Sequence, residues 1–240
     1  MTGDSPIASE GRDPWPGDAA ALVALQQELA AAAMPDFAFD PAMPIGGCFV
    51  CFPRGGAGPG RAGDPAWAAA AVVARLRRGA EAAVAGVARA PYRSGLLAAR
   101  EGALLEQAVD ALPTPPAVLL VDATGRDHPR RAGLALHLGA VLRLPTVGVT
   151  HRPLLATGDW PADRPGAAAP LILGGDLVGY WVRTRPGTRP LAVHAAWATG
   201  PDQAVEVVLA ATRRSRTPEP LRRARRLARR ARAAQEDGFA

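Results

Sequence analysis

Apolar positions along the chain change period several times, and each change predicts an element. Over 19–33, Leu22, Leu25 and Leu29 recur at helical spacing with Gln26 on the same face, which predicts a helix. The run from Pro44 to Phe52 has no such period and suits a buried strand. A Gly- and Pro-rich loop fills 53–65, and two Ala-rich strands are expected at 66–74 and 80–88, against alanine's own helical preference. A periodic run from an N-cap at Ser94 to Asp110 predicts a second helix, stopped by the prolines of 113–116. The order then becomes strand (117–121), loop, helix (132–142), strand (146–150), the signature of a parallel βαβ unit. Further strands are expected at 171–173, 177–182 and 191–194, and a helix at 202–211. In the last stretch Leu221, Ala224, Leu227, Ala228 and Ala231 place one apolar stripe on an otherwise basic helix. The chain is thus α/β, in three expected parts: a disordered segment at 1–18, a domain over 19–212, and an Arg-rich helical tail over 213–240.

Charge alters this picture at one end only. The net charge is +6, yet the ten arginines of 213–240 against three acids give that stretch +7, leaving the rest at −1. A polyanion partner such as nucleic acid and a merely solvated helix face both fit this asymmetry. All 28 basic residues are arginine, so no lysine amine is available for catalysis. No apolar stretch reaches the roughly 18 residues of a membrane span, and the N-terminus lacks the order of a signal peptide. A cytoplasmic protein without a membrane partner is expected. The two cysteines, Cys48 and Cys51, are three apart in a strand and so point to opposite faces, which argues against a metal or redox pair. The four histidines show no metal-ligand spacing, and His137 is expected on a helix surface.

Candidate chemistry concentrates in two segments. In Val121-Asp122-Ala-Thr-Gly-Arg-Asp-His128-Pro-Arg-Arg131, an acid ends a strand where α/β folds hold ligands. An imidazole and the guanidiniums of Arg130 and Arg131 follow at once. Carboxylates can hold Mg²⁺ and arginines can grip phosphate, the parts that phosphodiester cleavage requires. The second segment, PYRSGLLAARE over 91–101, reads by itself as a turn and a helix start.

Together these segments resemble the endonuclease V family, which carries PYxxGxLxxRE and, about twenty residues on, a strand-end Asp followed by a Gly-containing loop with HPRRxG. The likeness continues through LPTVGV (144–149), RPLL (152–155) and PEP (218–220), and covers about 20–225. The resemblance implies an RNase H-like fold with a mixed central sheet flanked by helices. It implies Mg²⁺-dependent (or Mn²⁺-dependent) hydrolysis 3′ to deoxyinosine in DNA, or to inosine in RNA. By position, Asp122 and Glu101 resemble metal-ligating acids and His128 the histidine beside them. Tyr92 resembles the strand-parting wedge, and Gly95, Leu97 and Leu154 the pocket for the flipped base. Other positions depart from the pattern. The first-strand acid is Phe49, the lysine after the Gly-Val strand is His151, a late histidine aligns with Trp197, a wedge proline is Ser94 and a glycine is Ala123. Asp40, Asp64 and Asp127 are the nearby acids that could substitute. An active nuclease, a silent nucleic-acid-binding protein on the same fold, and a protein whose tail meets an acidic partner are the competing readings.

Overall fold

The computed structural model describes residue 7 and residues 12–55, 58–75 and 77–236. Its elements are α1 (Ala19–Ala31), β1 (Ile45–Cys51), β2 (Pro65–Ala74), β3 (Arg77–Val87), α2 (Leu97–Asp110), β4 (Val118–Val121), α3 (Leu134–Leu142), β5 (Thr146–Thr150), β6 (Ala168–Leu173), β7 (Asp176–Val182), β8 (Leu191–Ala195), α4 (Pro201–Ala210) and α5 (Glu219–Glu236). Among the described residues the eight strands form one sheet in the order β3-β2-β1-β4-β5-β8-β7-β6. The pairs β1–β4 and β4–β5 are parallel and the others antiparallel, giving the mixed α/β sheet of an RNase H-like fold. None of the helices is long and apolar enough to cross a membrane among the described residues.

Strand β1 shows how the sequence builds two layers. Its side chains alternate, so Cys48 joins the core cluster with α1, α2 and α3, while Cys51 and Phe49 pack with Trp67 and α5 residues. Ala68, Ala69, Ala70 and Ala71 in β2 are fully buried between the helical layers. Burial on both faces of a strand overrides alanine's helical preference, and the small side chains let helices approach closely. Gly47 allows one such approach, for a Cβ there would lie 2.6 Å from the Leu221 backbone nitrogen. This contact seats the first turn of α5 on β1.

The structure corrects four expectations. Residues 12–18 of the segment expected to be disordered pack against the domain, with Trp15 only 1% exposed; residues 1–6 and 8–11 lie outside the described residues. The Arg-rich stretch is not a separate tail, because α5 buries Leu221, Ala224, Ala228 and Arg232 against the sheet. Ser94 does not cap α2, which starts at Leu97 without a side-chain cap, because the carbonyl of Gly95 (φ +74°) is bound elsewhere.

His137 is the fourth. It is fully buried, stacked on Trp15 at 4.5 Å, with Nε2 2.7 Å from the Pro14 carbonyl. Burial pushes its pKa down to about 4. A histidine held neutral in the folded chain but protonated below 6.5 when unfolded costs stability as pH falls through that window. Stability should therefore be full above pH 6.5 and decline towards pH 4, with His137 contributing about 3 kcal/mol of the loss. Urea melts across this range should show a shallower pH slope in His137→Leu; an unchanged slope would refute the assignment.

Candidate functional site

Most of the predicted site residues converge at the C-terminal ends of β4 and β5. A cavity of about 200 Å³ is lined by Tyr92, Gly95, Leu97, Asp122, His128 and Leu154, together with Gln26, Ala123 and Thr150. Tyr92 and Leu154 stand exposed at its mouth, 47% and 42%. Glu101 lies outside this cavity, in an adjoining cleft that Tyr92 also lines with Phe52, Asp64 and Arg100.

The loop that carries Tyr92 is held through the Gly95 carbonyl. The Gly95 carbonyl accepts hydrogen bonds from Gln26 Nε2 (3.2 Å) and Arg130 Nη2 (2.7 Å), and His128 Nε2 lies 3.0 Å away. His128 Nδ1 accepts the Arg130 backbone N–H at 3.3 Å, which makes Nε2–H the donor to Gly95. Burial pushes the His128 pKa down to about 4, so the ring is neutral at pH 7. Arg130 Nε donates to Gln26 Oε1 at 2.6 Å. Arg131 binds the Leu173 carbonyl (2.6 Å) and Asp176 (3.0 Å). The two guanidiniums expected on phosphate therefore tie the loop to its neighbours. Gln26 was read only as part of a helix face, but a polar side chain on that apolar stripe was the signal that it serves the site.

The opposite wall is fixed by Asp127. Its buried carboxylate accepts the backbone N–H groups of Leu154 (2.5 Å), Leu155 (2.8 Å) and Ala156 (2.8 Å). His194 Nδ1 is 3.8 Å from it. Burial holds His194 down to about 4, so this is no ion pair at neutral pH. Asp127 is thereby committed to the loop. Asp64 pairs with Arg100 at 2.9 Å, and Asp40 accepts the Ala42 N–H in an exposed turn. None of these three acids replaces the one absent at Phe49. Trp197 is a core residue, 2% exposed.

The acid site itself is arranged around an arginine. In the parallel register Cys48 pairs with Val121, so the next residues, Phe49 and Asp122, are neighbours across the strands. Asp122 Oδ2 receives Arg225 Nη2 at 2.8 Å. The same guanidinium lies over the Phe49 ring at 5.1 Å, and Arg229, one turn on, lies over it at 5.8 Å. Beside them Arg216 Nη1 donates to His151 Nδ1 at 2.9 Å. Burial raises Glu101 to about 8, with Asp122 adding to the rise. Both acids also act on the buried Cys48 thiol, whose pKa is pushed up, mainly by burial. Among the described residues no group of three His, Cys, Asp or Glu side chains could hold a metal ion. A divalent ion wants several oxygen ligands; here Asp122 is salt-bridged to Arg225, and a phenyl ring stands where the resemblance places the first-strand acid. The residues present do not fit the ion that the resemblance implies.

A family model described as Endonuclease V matches residues 57–226. The chain belongs to the endonuclease V family. A curated endonuclease V of Streptomyces avermitilis is 45% identical over 166 residues, covering 68% of this chain and 72% of the relative. The crystal structure of an endonuclease V from that organism superposes with a TM-score of 0.83 at 36% identity, covering 94% of this chain and 96% of that one. A Ciona intestinalis endonuclease V, crystallised with a 24mer DNA containing an inosine followed by a ribo-adenosine, gives a TM-score of 0.74 at 21% identity. It covers 90% of this chain and 98% of the other, and at that identity it supports the fold alone. Against this family background Arg225 is the site residue that sequence reasoning missed. It was counted with the basic tail, because only the seat of α5 on Gly47 brings it to Asp122.

Proposed function

We propose that this chain performs the recognition task of endonuclease V: it takes up a deaminated purine, hypoxanthine in deoxyinosine or inosine, from a nucleic-acid strand, and hydrolyses the neighbouring phosphodiester slowly at best. The cavity beside Asp122 carries this reading. A cavity of about 150 Å³ accepts a benzene ring, so this one has room for a base extruded from its stack. Its floor is apolar, through Leu97, Ala123 and Leu134, and Thr150 and Gln26 supply polar edges. The exposed ring of Tyr92 at the mouth can stack on the bases that the extruded one leaves behind. The slow hydrolysis follows from the donor set around Phe49. Removal of metal assistance worth several kcal/mol corresponds to a rate loss of about 10²-fold or more.

The test uses an oligonucleotide with a single deoxyinosine, its deoxyadenosine counterpart, and the inosine RNA, with binding and strand cutting measured together in Mg²⁺. At least tenfold tighter binding of the inosine strand is expected, with cutting about 10²-fold slower than by the Streptomyces avermitilis relative. Equal affinity for damaged and undamaged strands would remove the recognition reading. Cutting at the relative's rate would show that Glu101 and Asp122 suffice for hydrolysis, and would make the chain an ordinary nuclease of its family.

Tyr92→Ala should weaken binding of the deoxyinosine strand about tenfold, since one base–aromatic stack is worth roughly 1–3 kcal/mol. Its melting temperature should not move, because the ring is half exposed. An unchanged affinity would rule out the wedge role.

A further inference from the structure

We propose that the Arg225 guanidinium is the resident cation of this site: it occupies the ground a divalent ion would need, and it receives the phosphate next to the extruded base, so that strand binding is independent of metal. The part that concerns phosphate rests on the recognition reading; the displacement of metal does not.

Four observations lead there. Arg225 spends one Nη2 contact on Asp122 and sits over Phe49 at 5.1 Å, which leaves other N–H donors of its five for a ligand. The pair is only partly covered, with side-chain exposures of 21% for Arg225 and 26% for Asp122, and Asp122 lines the base cavity. A phosphate approaching the cavity rim therefore meets the free edge of the guanidinium, in the fork geometry that suits phosphate oxygens.

The surrounding charge points the same way. Arg229 shares the Phe49 ring and Arg216 lies on His151, whose pKa is lowered first by burial and further by the charges of Arg216 and Arg225. Among the ion pairs of the described residues, Asp122 at the end of β4 is the acid that meets this group of arginines, through Arg225. That balance repels a second cation and attracts an anion. The positions of Phe49 and Arg225 also depend on each other. The Phe49 ring offers the guanidinium a face to rest on and offers a metal ion no ligand. The position of Arg225 is set in turn by the backbone contact of Leu221 with Gly47, one helical turn before it.

The test has two arms. In the first, Mn²⁺ binding to the full chain alone is read by electron paramagnetic resonance. The wild-type chain should leave millimolar Mn²⁺ free, and Phe49→Asp combined with Arg225→Ala should bind one ion. In the second, fluorescence anisotropy follows a deoxyinosine oligonucleotide in EDTA and in Mg²⁺. Wild-type affinity should agree within twofold between the two, and Arg225→Gln should lose about tenfold in both. One Mn²⁺ bound per wild-type chain, or tenfold tighter strand binding in Mg²⁺, would overturn the proposal even if inosine preference stands. Undiminished strand binding by Arg225→Gln would overturn the phosphate contact. A wild-type chain without inosine preference that still leaves Mn²⁺ free would fail the recognition reading and keep Arg225 as the resident cation. The wild-type Mn²⁺ measurement needs no variant to fold.

Discussion

Asp127→Ala should lower stability by about 3–4 kcal/mol and abolish selective binding at the base cavity. The carboxylate is completely buried and holds three successive backbone N–H groups, those of Leu154, Leu155 and Ala156. Charge-assisted hydrogen bonds contribute about 1.5–3 kcal/mol each, but not additively, because Leu154 and Leu155 are exposed enough to regain water while Ala156 is not. The functional loss follows from the same contacts. Leu154 lines the cavity, and its N–H bond to Asp127 ties it to the loop that follows β4. Asp127→Asn separates charge from shape. One amide oxygen still accepts, but the NH₂ group faces a backbone donor, so an intermediate loss is expected. Urea denaturation gives the stability and oligonucleotide anisotropy the binding. A loss under 1 kcal/mol for the alanine variant would mean that the loop stands without its staple.

The sequence made the frame of this site legible and hid its centre. The βαβ unit was readable because the β4 run ends at Asp122 and turn residues follow at once, so the acid's place at a strand end needed no tertiary information. Tyr92, Gly95, Leu97, His128 and Leu154 line one cavity with that acid. Hidden were the features set by how one element seats on another. Arg225 looked like the nine other tail arginines until Gly47 fixed the register of α5 on β1. Ser94 resembled a helix cap, but a cluster of donors on the Gly95 carbonyl delays the helix to Leu97. The roles of Arg130 and Arg131 were also invisible, since each bonds to a residue more than 40 positions away. Local composition misled at the N-terminus for a related reason. One tryptophan among Gly, Pro and Asp is enough to anchor a segment when the matching hole exists.

That hole underlies the second large effect. Trp15→Ala should cost about 3–5 kcal/mol. The indole is 1% exposed, stacks on His137 at an interplanar angle of 21°, and donates Nε1–H to Glu106 at 2.6 Å. Truncation leaves a cavity beneath α1 and strips Glu106 of its partner in a place where burial already raises that carboxyl's pKa. The complementary change tests the fit from the other side. A Cβ on Gly102 would run into the indole ring, so Gly102→Ala should do comparable damage although it favours the helix on its own. The effect should reach the site along a defined path. The Trp15 segment leads directly into Asp18, whose side chain caps α1 through the Ala21 N–H at 2.8 Å, and α1 carries Gln26 to the Gly95 carbonyl. Loss of the anchor should therefore weaken inosine binding more than Asp18→Ala does, because the cap alone is worth only about 1 kcal/mol. Equal binding losses in the two variants would place the coupling in the cap and not in the buried ring.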